Sequence, residues 1–394
     1  MLNATASGPL FASPEAACCA CGRATFHAMS SSHATSLLFV AAHAVDPSLA
    51  STLSHLTRDL SRAPPSAHLP SRPWLLLFTG QHPIASPPVD SPWRSLDADV
   101  CPWTLAQVFS LFPKLKHSFR KSAAVQETDE DYLKHYFLFH TSLALWWRLF
   151  GHSHPKLQHF WRIEPDVQLV GLGGWATLLH LSSSVGLDVL LPKPTTQART
   201  SIEYTHFDTN RHYLATVPMD QRVWSLVSVG RYSLSFIRDV MSPQWAAGVL
   251  AYEEIFLPTS CMARPANCSL GNFGHLADAS NVRFRPYVRC ETFRSSWPHT
   301  ELAFWHPVKD RACVSEWQQA VESSPHWENV RFNLPALSSA PPAPPGVPPR
   351  SPDGYRGNEG TNLEAFTFRT AIPKRPLVRG GWRVRGWENK VGDD

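Results

Sequence analysis

One apolar run is interrupted by two carboxylates, and this interruption constrains the fold more than any other feature. The run extends from Phe160 to Val170 and has the sequence FWRIEPDVQLV. Short runs rich in aromatic and β-branched residues are typical of buried strands, and Pro165 cannot donate to a strand ladder. We therefore expect pairing to stop at Pro165, with Glu164 and Asp166 at a strand end. Such carboxylates can hold a hard cation through oxygen, or they can simply solvate a turn.

The composition indicates a globular protein of enzyme size. The chain has 394 residues, of which 43% are hydrophobic, and this predicts one large α/β domain with extensions, or two domains. The net charge of +4 includes no block of like charges, so we do not expect nucleic acid as the main partner. No segment reaches the ~20 apolar residues that a membrane span requires, and no signal peptide is visible.

The first third of the chain has the pattern of a parallel sheet. Residues 36–42 and 73–80 are continuous apolar runs, and a helical pattern from 47 to 60 separates them. Continuous apolar runs are typical of parallel strands that are buried on both faces. Strand, helix and strand in this order predict a right-handed crossover.

Two longer segments favour helices. Thr128 is followed by acidic residues, a pattern that is typical of a helix N-terminus, so we expect a helix over 129–150. Its aromatic pair Trp146-Trp147 indicates core packing and not a cofactor site. Residues 222–241 are expected to be rich in helix.

The glycines between 171 and 174 fit neither a dinucleotide fingerprint nor a P-loop, and so predict a turn.

Two later stretches carry further candidate site residues. Glu253 and Glu254 follow Tyr252 within an apolar frame, where neighbouring carboxylates suit acid–base chemistry or merely favour a helix start. His306 lies between Trp305 and a proline. A lone histidine is usually structural, but a neutral imidazole is also a good ligand for a divalent metal.

Four cysteines lie close together in the later part of the chain: Cys261, Cys268, Cys290 and Cys313. Their grouping favours disulfides in a secretory compartment, and the tripeptide Asn267-Cys268-Ser269 matches an N-glycosylation acceptor. Free buried cysteines are the alternative.

These motifs, in this order, resemble the signatures of nucleotide-sugar glycosyltransferases with the GT-A fold. Phe160-Trp161-Arg162 followed by Glu164-Pro165-Asp166-Val167 is similar to Golgi α-mannosyltransferases that carry a Glu-Pro variant of the acidic metal motif. Tyr252-Glu253-Glu254 and Trp305-His306-Pro307 follow in the expected order. The resemblance implies a Rossmann-type mixed α/β sheet flanked by helices, and a Golgi or secretory-lumen location.

The resemblance also implies roles for individual residues. Asp166 would lie nearest to a Mn2+ (or Mg2+) ion and the donor diphosphate, Glu164 would support the metal or the donor ribose, and His306 would complete the metal shell. Glu253 or Glu254 would lie beside the acceptor hydroxyl, as a base in an inverting enzyme or a polar stabiliser in a retaining one.

We therefore expect one catalytic domain over residues 35–333, preceded by a disordered segment 1–34. Residues 334–394 would form a Pro-rich linker and a basic tail. The expected activity is transfer of a hexose from a nucleotide-sugar donor to a hydroxyl of a glycan or glycoprotein. One rival is an inactive glycosyltransferase-like protein that binds glycans or serves as a scaffold. A second, a metal-dependent nucleotidyltransferase, would need a basic triphosphate-binding loop near the first strand, and residues 37–44 contain none.

Overall fold

A seven-stranded mixed sheet carries the predicted site. The computed structural model describes residues 34–63, 69–80, 95–122, 125, 137–171, 173–197, 207, 210–274, 276–284, 286–295 and 301–323. The strands are β1 (Ser36–Ala42), β2 (Trp74–Phe78), β3 (Asp99–Trp103), β4 (His159–Ile163), β5 (Gln168–Val170), β6 (Val189–Leu191), β7 (Thr195–Thr196), β8 (Val223–Trp224), β9 (Val229–Ser233), β10 (Leu270–Asn272), β11 (Asp278–Val282) and β12 (Ala303–His306).

Helices flank the sheets. They are α1 (Pro47–Ser61), α2 (Leu105–Leu111), α3 (Pro113–Lys121), α4 (Thr141–Phe150), α5 (Gly174–Ser182), α6 (Arg211–Leu214), α7 (Ser242–Ala247), α8 (Glu253–Met262), α9 (Cys290–Arg294) and α10 (Arg311–Ser323). A π-helical turn covers Phe236–Met241, and 3-10 turns cover Gly151–Ser153 and Met219–Gln221. The mixed α/β class expected from the sequence is confirmed.

The strand directions define one functional edge of the large sheet. Its order is β10-β6-β9-β4-β1-β2-β3. Strands β4, β1, β2 and β3 are parallel, β10 is parallel to β6, and β9 runs antiparallel to both β4 and β6. The carboxyl ends of β1, β4, β6 and β10 therefore meet at one edge. Ligands of open α/β sheets bind outside the carboxyl ends of the strands.

Strand β1 is covered on both faces of the large sheet. All seven of its residues are buried. Because side chains alternate along a strand, Leu37 and Phe39 enter one core cluster and Leu38 and Val40 enter the other. The expected strand, helix and strand over 36–80 are confirmed as β1, α1 and β2.

Helix α5 begins with help from a residue of α1. Its N-cap is Gly173, at φ 75°, which offers no side chain to the free N–H groups. The N–H of Trp175 instead donates to Asp59 Oδ2 at 2.6 Å. A Cβ on Gly174 would lie 2.4 Å from that oxygen, so glycine is needed for the close approach. Asp59 thereby links the two helices.

A three-stranded sheet brings a late part of the chain back to the edge defined above. Its order is β11-β12-β5, with β11 parallel and β5 antiparallel to β12. Strand β12 ends at His306 and pairs with β5, which follows the Glu-Pro-Asp motif after β4. This pairing places the motif and His306 in the same region.

The prediction for residues 222–241 was wrong. The first half of this segment forms the strands β8 and β9, and only its end is helical. Strand β9 is buried throughout and lies between β4 and β6, so pairing on both sides overrides the local helical pattern.

The predicted helix over 129–150 begins later than expected. Residues 126–136 lie outside the described residues, and residues 137–140 form turns ahead of α4, which starts at Thr141. The N–H of His140 donates to Glu253 Oε1 at 2.5 Å, a tertiary contact that fixes the chain before the helix. Trp146 is fully buried and packs against Phe39 and Trp74, which confirms the core interpretation of that residue.

The four grouped cysteines form two disulfides, Cys261–Cys268 and Cys290–Cys313, as the sequence predicted. Among the described residues, no helix has the length and apolar character needed to cross a bilayer. The expected disordered segment and the Pro-rich tail, apart from residue 34, lie outside the described residues.

Candidate active site

The Glu-Pro-Asp motif forms a turn directly after β4. The N–H of Glu164 donates to Ser228 O at 2.8 Å, and the N–H of Val167 donates back to Glu164 O at 3.1 Å. Strand β5 then begins at Gln168. Regular pairing thus stops at Glu164-Pro165, as the proline predicted. The two carboxylates lie at the carboxyl end of β4.

His306 joins these two carboxylates from the end of β12. It is only 6% exposed. Its Nε2 lies 3.4 Å from Glu164 Oε2 and 3.5 Å from Asp166 Oδ1. The ligand atoms of Glu164, Asp166 and His306 all lie within 4.8 Å of one another. Residues about 140 positions apart in the sequence therefore form one cluster, which we call the acid–histidine cluster.

The other ring nitrogen of His306 has a fixed partner. Nδ1 lies 2.9 Å from Arg283 O, so an N–H on Nδ1 can donate to this carbonyl. With a proton on Nδ1, Nε2 is the nitrogen that faces the carboxylates; it can carry a second proton that the carboxylates stabilise, or lose that proton and bind a metal through its lone pair. Histidines that bind metals commonly hold the second nitrogen in this way.

Lys309 adds a positive charge beside the acid–histidine cluster. Lys309 Nζ forms an ion pair with Asp166 Oδ2. Burial alone would raise the pKa of Asp166, but its hydrogen bonds and charge interactions with His306 and Lys309 lower this pKa to about 2. Burial would likewise lower the pKa of His306, yet the two carboxylates raise it to about 10. Asp166 is therefore anionic at neutral pH.

The donor set fits a divalent cation. Two carboxylates and one imidazole are suitable ligands for Mn2+. The anchored Nδ1 of His306 orients its ring for such a role. Glu164, Asp166 and His306 are the residues that would hold the ion.

A cavity of 340 Å³ lies beside the cluster. Its walls come from the end of β1, the start of α1, the Glu-Pro-Asp turn and the segment after β12. Arg162, Lys309 and His43 bring basic groups to this cavity, and Asp46, Glu164 and Asp166 bring acidic groups. The Arg162 guanidinium lies 4.7 Å from the centre of the Phe139 ring and donates from Nη1 to Val227 O at 2.8 Å. We call this space the β1–β4 cavity.

Glu253 is engaged in a buried network. Its Oε1 accepts from the N–H of His140, and its Oε2 lies 2.5 Å from His140 Nδ1. His140 Nε2 lies 3.0 Å from the Tyr232 hydroxyl. Burial lowers the pKa of His140 although the charge of Glu253 opposes this. A neutral ring can donate from Nδ1 to Glu253 and accept from Tyr232, which satisfies both of its nitrogens.

Glu254 has a different environment. It occupies the first turn of α8 and is half-buried. Burial and the charge of Glu164 together raise the pKa of Glu254 to about 8, although the charge of His306 opposes the increase. Glu254 therefore lies within electrostatic range of the acid–histidine cluster.

Comparisons with known proteins give fold-level likenesses only. Neither a scan against protein-family models nor a search of curated proteins finds a match. Among solved structures, core-mannan synthase A from Aspergillus fumigatus in a Mn/GDP form is similar over 61% of this chain and 72% of that chain, at 14% identity and a TM-score of 0.34. Mouse xyloside xylosyltransferase 1 is similar over 59% of this chain and 82% of that chain, at 14% identity and a TM-score of 0.32.

The sequence predicted the cluster but missed several neighbours. Glu164, Asp166 and His306 converge, whereas Glu253 faces His140. The sequence indicated no role for Lys309 or His43, which both line the β1–β4 cavity. His43 follows the apolar run of β1, and the carboxyl end of a parallel strand is a position that signals ligand binding. No local sequence pattern marked His140 as a site residue.

Proposed function

We propose that this protein is a metal-assisted glycosyltransferase with the GT-A fold. It would move a hexose from a nucleotide-sugar donor to a hydroxyl of a glycan or glycoprotein acceptor. The observation that carries this proposal is the convergence of Glu164, Asp166 and His306 beside a cavity that is also lined by Arg162 and Lys309. The proposed catalytic domain covers residues 35–333.

The β1–β4 cavity would bind the nucleoside diphosphate part of the donor. Lys309 and Arg162 would place positive charge near the diphosphate, where negative charge develops as the sugar departs. Glu164, Asp166 and His306 would hold the cation. When bound, a divalent cation supplies Lewis-acid stabilisation of the leaving diphosphate.

Glu254 would act on the acceptor hydroxyl. Its raised pKa of about 8 reflects burial and the charge of Glu164, which is what a carboxyl group near the reacting centre would experience. Glu253 would instead support the site, because both of its oxygens are bound by His140.

Two disulfides support a proposed location in an oxidising compartment, such as the Golgi lumen. Disulfides persist in secretory compartments and are rare in the cytosol of most organisms.

The test is a panel of nucleotide sugars, incubated with full-length protein and Mn2+ and again with a chelator, while release of nucleoside diphosphate is measured. We expect metal-dependent turnover of one donor. Asp166→Asn should reduce this turnover at least 100-fold. Asp239→Asn is a matched control, since Asp239 is exposed and, among the residues that the structure describes, forms an ion pair only with its neighbour Arg238.

Two results would count against the proposal. Nucleotide binding without turnover across the panel would favour an inactive glycosyltransferase-like protein that binds glycans. Turnover that is equal in wild type and Asp166→Asn would remove the acid–histidine cluster from the mechanism.

A further inference from the structure

A second cavity, of 610 Å³, lies at the same edge of the large sheet. It is bounded by α5, the residues that follow β6, the end of β10, the first residues of β11 and the two residues before β12. Lys193 follows β6, and Asp278 and Ser280 belong to β11. We call this space the β11 cavity. Its volume lies within the range of about 300–1,000 Å³ that is usual for small-molecule sites.

Strand β11 connects this cavity to the acid–histidine cluster. Ser280 lines the cavity, while Val282, two residues further along, pairs with His306. A rise of about 3.3 Å per residue and a strand spacing of about 4.8 Å place Ser280 roughly 8 Å from His306. The next residue, Arg283, supplies the carbonyl that binds His306 Nδ1.

A second connection reaches the proposed catalytic carboxyl. Lys193 Nζ donates to Ser280 O at 3.2 Å, and the N–H of Lys193 lies 3.4 Å from Ser225 Oγ. The N–H of Ser225 donates to Glu254 O at 2.9 Å. Hydrogen bonds therefore link Lys193, which lines the β11 cavity, to the backbone of Glu254 through Ser225.

The lining combines apolar and polar groups. Leu276 and the largely buried Leu302, Ala277 and Ala279 provide apolar surface, and Asp278, Lys193 and Ser280 provide exposed polar groups at the rim. The two oxygens of Asp278 each accept one hydrogen bond from Ser280, from its N–H and its hydroxyl, and each oxygen retains a lone pair. A sugar ring offers hydroxyl groups at its edge and C–H groups on its faces, and so matches such a lining.

The charges select among glycans. The cavity lining includes two carboxylates, from Asp278 and Glu301, and one ammonium group, from Lys193. This negative balance disfavours sialylated or uronic-acid glycans, because like charges repel. A neutral glycan meets no such penalty.

We propose that the β11 cavity binds a neutral oligosaccharide acceptor, and specifically the sugar units beyond the one whose hydroxyl reacts. This proposal rests on the transferase function proposed above. It predicts that acceptors of two or more sugars bind more tightly than the corresponding monosaccharide.

The test is a glycan array probed with the full-length protein in the presence of Mn2+ and GDP or UDP. The array carries mono- to tetrasaccharides of mannose, xylose, galactose, glucose and N-acetylglucosamine, together with sialylated glycans, uronic-acid glycans and unglycosylated peptides. We expect wild type to bind a neutral oligosaccharide. Ser280→Tyr, which fills the cavity, should weaken this binding at least tenfold, and Lys193→Ala should weaken it severalfold.

Matched variants keep the result interpretable. Lys156→Ala removes an exposed lysine before β4, at the opposite edge of the sheet, and should bind as wild type does. If Ser280→Tyr does not fold, Thr177→Trp fills the cavity from α5. Preferential binding of acidic glycans or peptides, no binding of neutral oligosaccharides, or equal binding by wild type and the filled variant would overturn the proposal.

Donor turnover separates this proposal from the preceding one. Metal-dependent hydrolysis of the donor by wild type, measured without acceptor, tests the transferase function independently of the glycan site. Glycan binding without any donor turnover would contradict the transferase function but support the glycan site. Donor turnover with equal transfer to monosaccharides and oligosaccharides would support the transferase function but contradict the glycan site.

Discussion

At the scale of single residues, two adjacent carboxyl groups differ in what surrounds them. Both oxygens of Glu253 are bound by His140, whereas the pKa of Glu254 responds to Glu164 and His306. A buried hydrogen-bonded carboxylate contributes to stability, and a carboxyl group near the reacting atoms contributes to rate. Substitution of each residue therefore separates the two roles.

We predict that Glu254→Gln lowers kcat by a factor of about 10²–10⁴, which is the usual range for loss of a general acid or base, with little change in stability. Glu253→Gln should instead lower the free energy of unfolding by about 1–3 kcal/mol, because it disturbs a buried hydrogen-bonded pair. Steady-state kinetics and urea unfolding of both variants are the measurements. A large loss of kcat in Glu253→Gln at unchanged stability would reverse the assignment.

The sequence could not make this choice. The Glu-Pro-Asp motif was recognisable because Pro165 interrupts an apolar run. By contrast, the partner of Glu253 is His140, which lies 113 residues away in the sequence. The role of Glu253 depends on a tertiary contact that no local pattern records.

At the scale of secondary-structure elements, Asp59 joins α1 to the start of α5. Burial raises the pKa of Asp59 to about 7, although the hydrogen bond from Trp175 and the charge of Arg62 oppose the increase. Between pH 4 and 7 the unfolded chain therefore loses a proton that the folded chain retains. The contribution of this group to stability falls as the pH rises through that range.

We predict that Asp59→Asn removes this pH dependence, since an amide oxygen can still accept from Trp175 but does not titrate. The free energy of unfolding of wild type minus that of the variant should decrease from pH 4 to 7 and level off above. Urea unfolding at several pH values measures this difference. A difference that rises with pH would show that the carboxylate is favoured in the folded state.

The disulfide Cys290–Cys313 encloses the segment that carries His306 and Lys309. Its loss in Cys290→Ser/Cys313→Ser should lower the free energy of unfolding by about 3 kcal/mol, because the unfolded chain gains freedom. We also predict weaker Mn2+ binding, since the cluster loses this restraint. Thermal unfolding and Mn2+ titration are the measurements.

The disulfide Cys261–Cys268 provides the control. It lies in α8 and the loop that follows, and closes a shorter segment. Its removal should also destabilise the fold, by about 2 kcal/mol, but leave Mn2+ affinity unchanged. Equal effects of the two disulfides on Mn2+ affinity would contradict a specific role for Cys290–Cys313.

Helices and strands were predictable where the local sequence itself indicates that they are buried. Strands β1 and β2 are continuous apolar runs, and α1 starts after Asp46, whose side chain accepts from the N–H of Leu49. Strand β9 was missed because its sequence, VGRYS, includes Arg231, and the burial of this arginine depends on carbonyl groups near the end of α5.

At the scale of the whole molecule, the fold assembles the site from distant parts of the chain. The large sheet supplies Glu164 and Asp166 after β4, and the small sheet supplies His306. The two outer strands of the small sheet, β5 and β11, contribute residues to the two cavities, and β12 runs between them. The α/β class and the cluster residues were predictable from motifs, whereas the cavities depend on strand order.

The most direct test of the central claim is a Mn2+ titration of the full-length protein with GDP or UDP, in which electron paramagnetic resonance detects free Mn2+. We predict one bound Mn2+ per chain, at least tenfold weaker binding in Asp166→Asn and in His306→Ala, and unchanged binding in Asp239→Asn. Equal Mn2+ binding by wild type and Asp166→Asn, or none by wild type with either nucleotide, would contradict the assignment of the acid–histidine cluster as a metal centre.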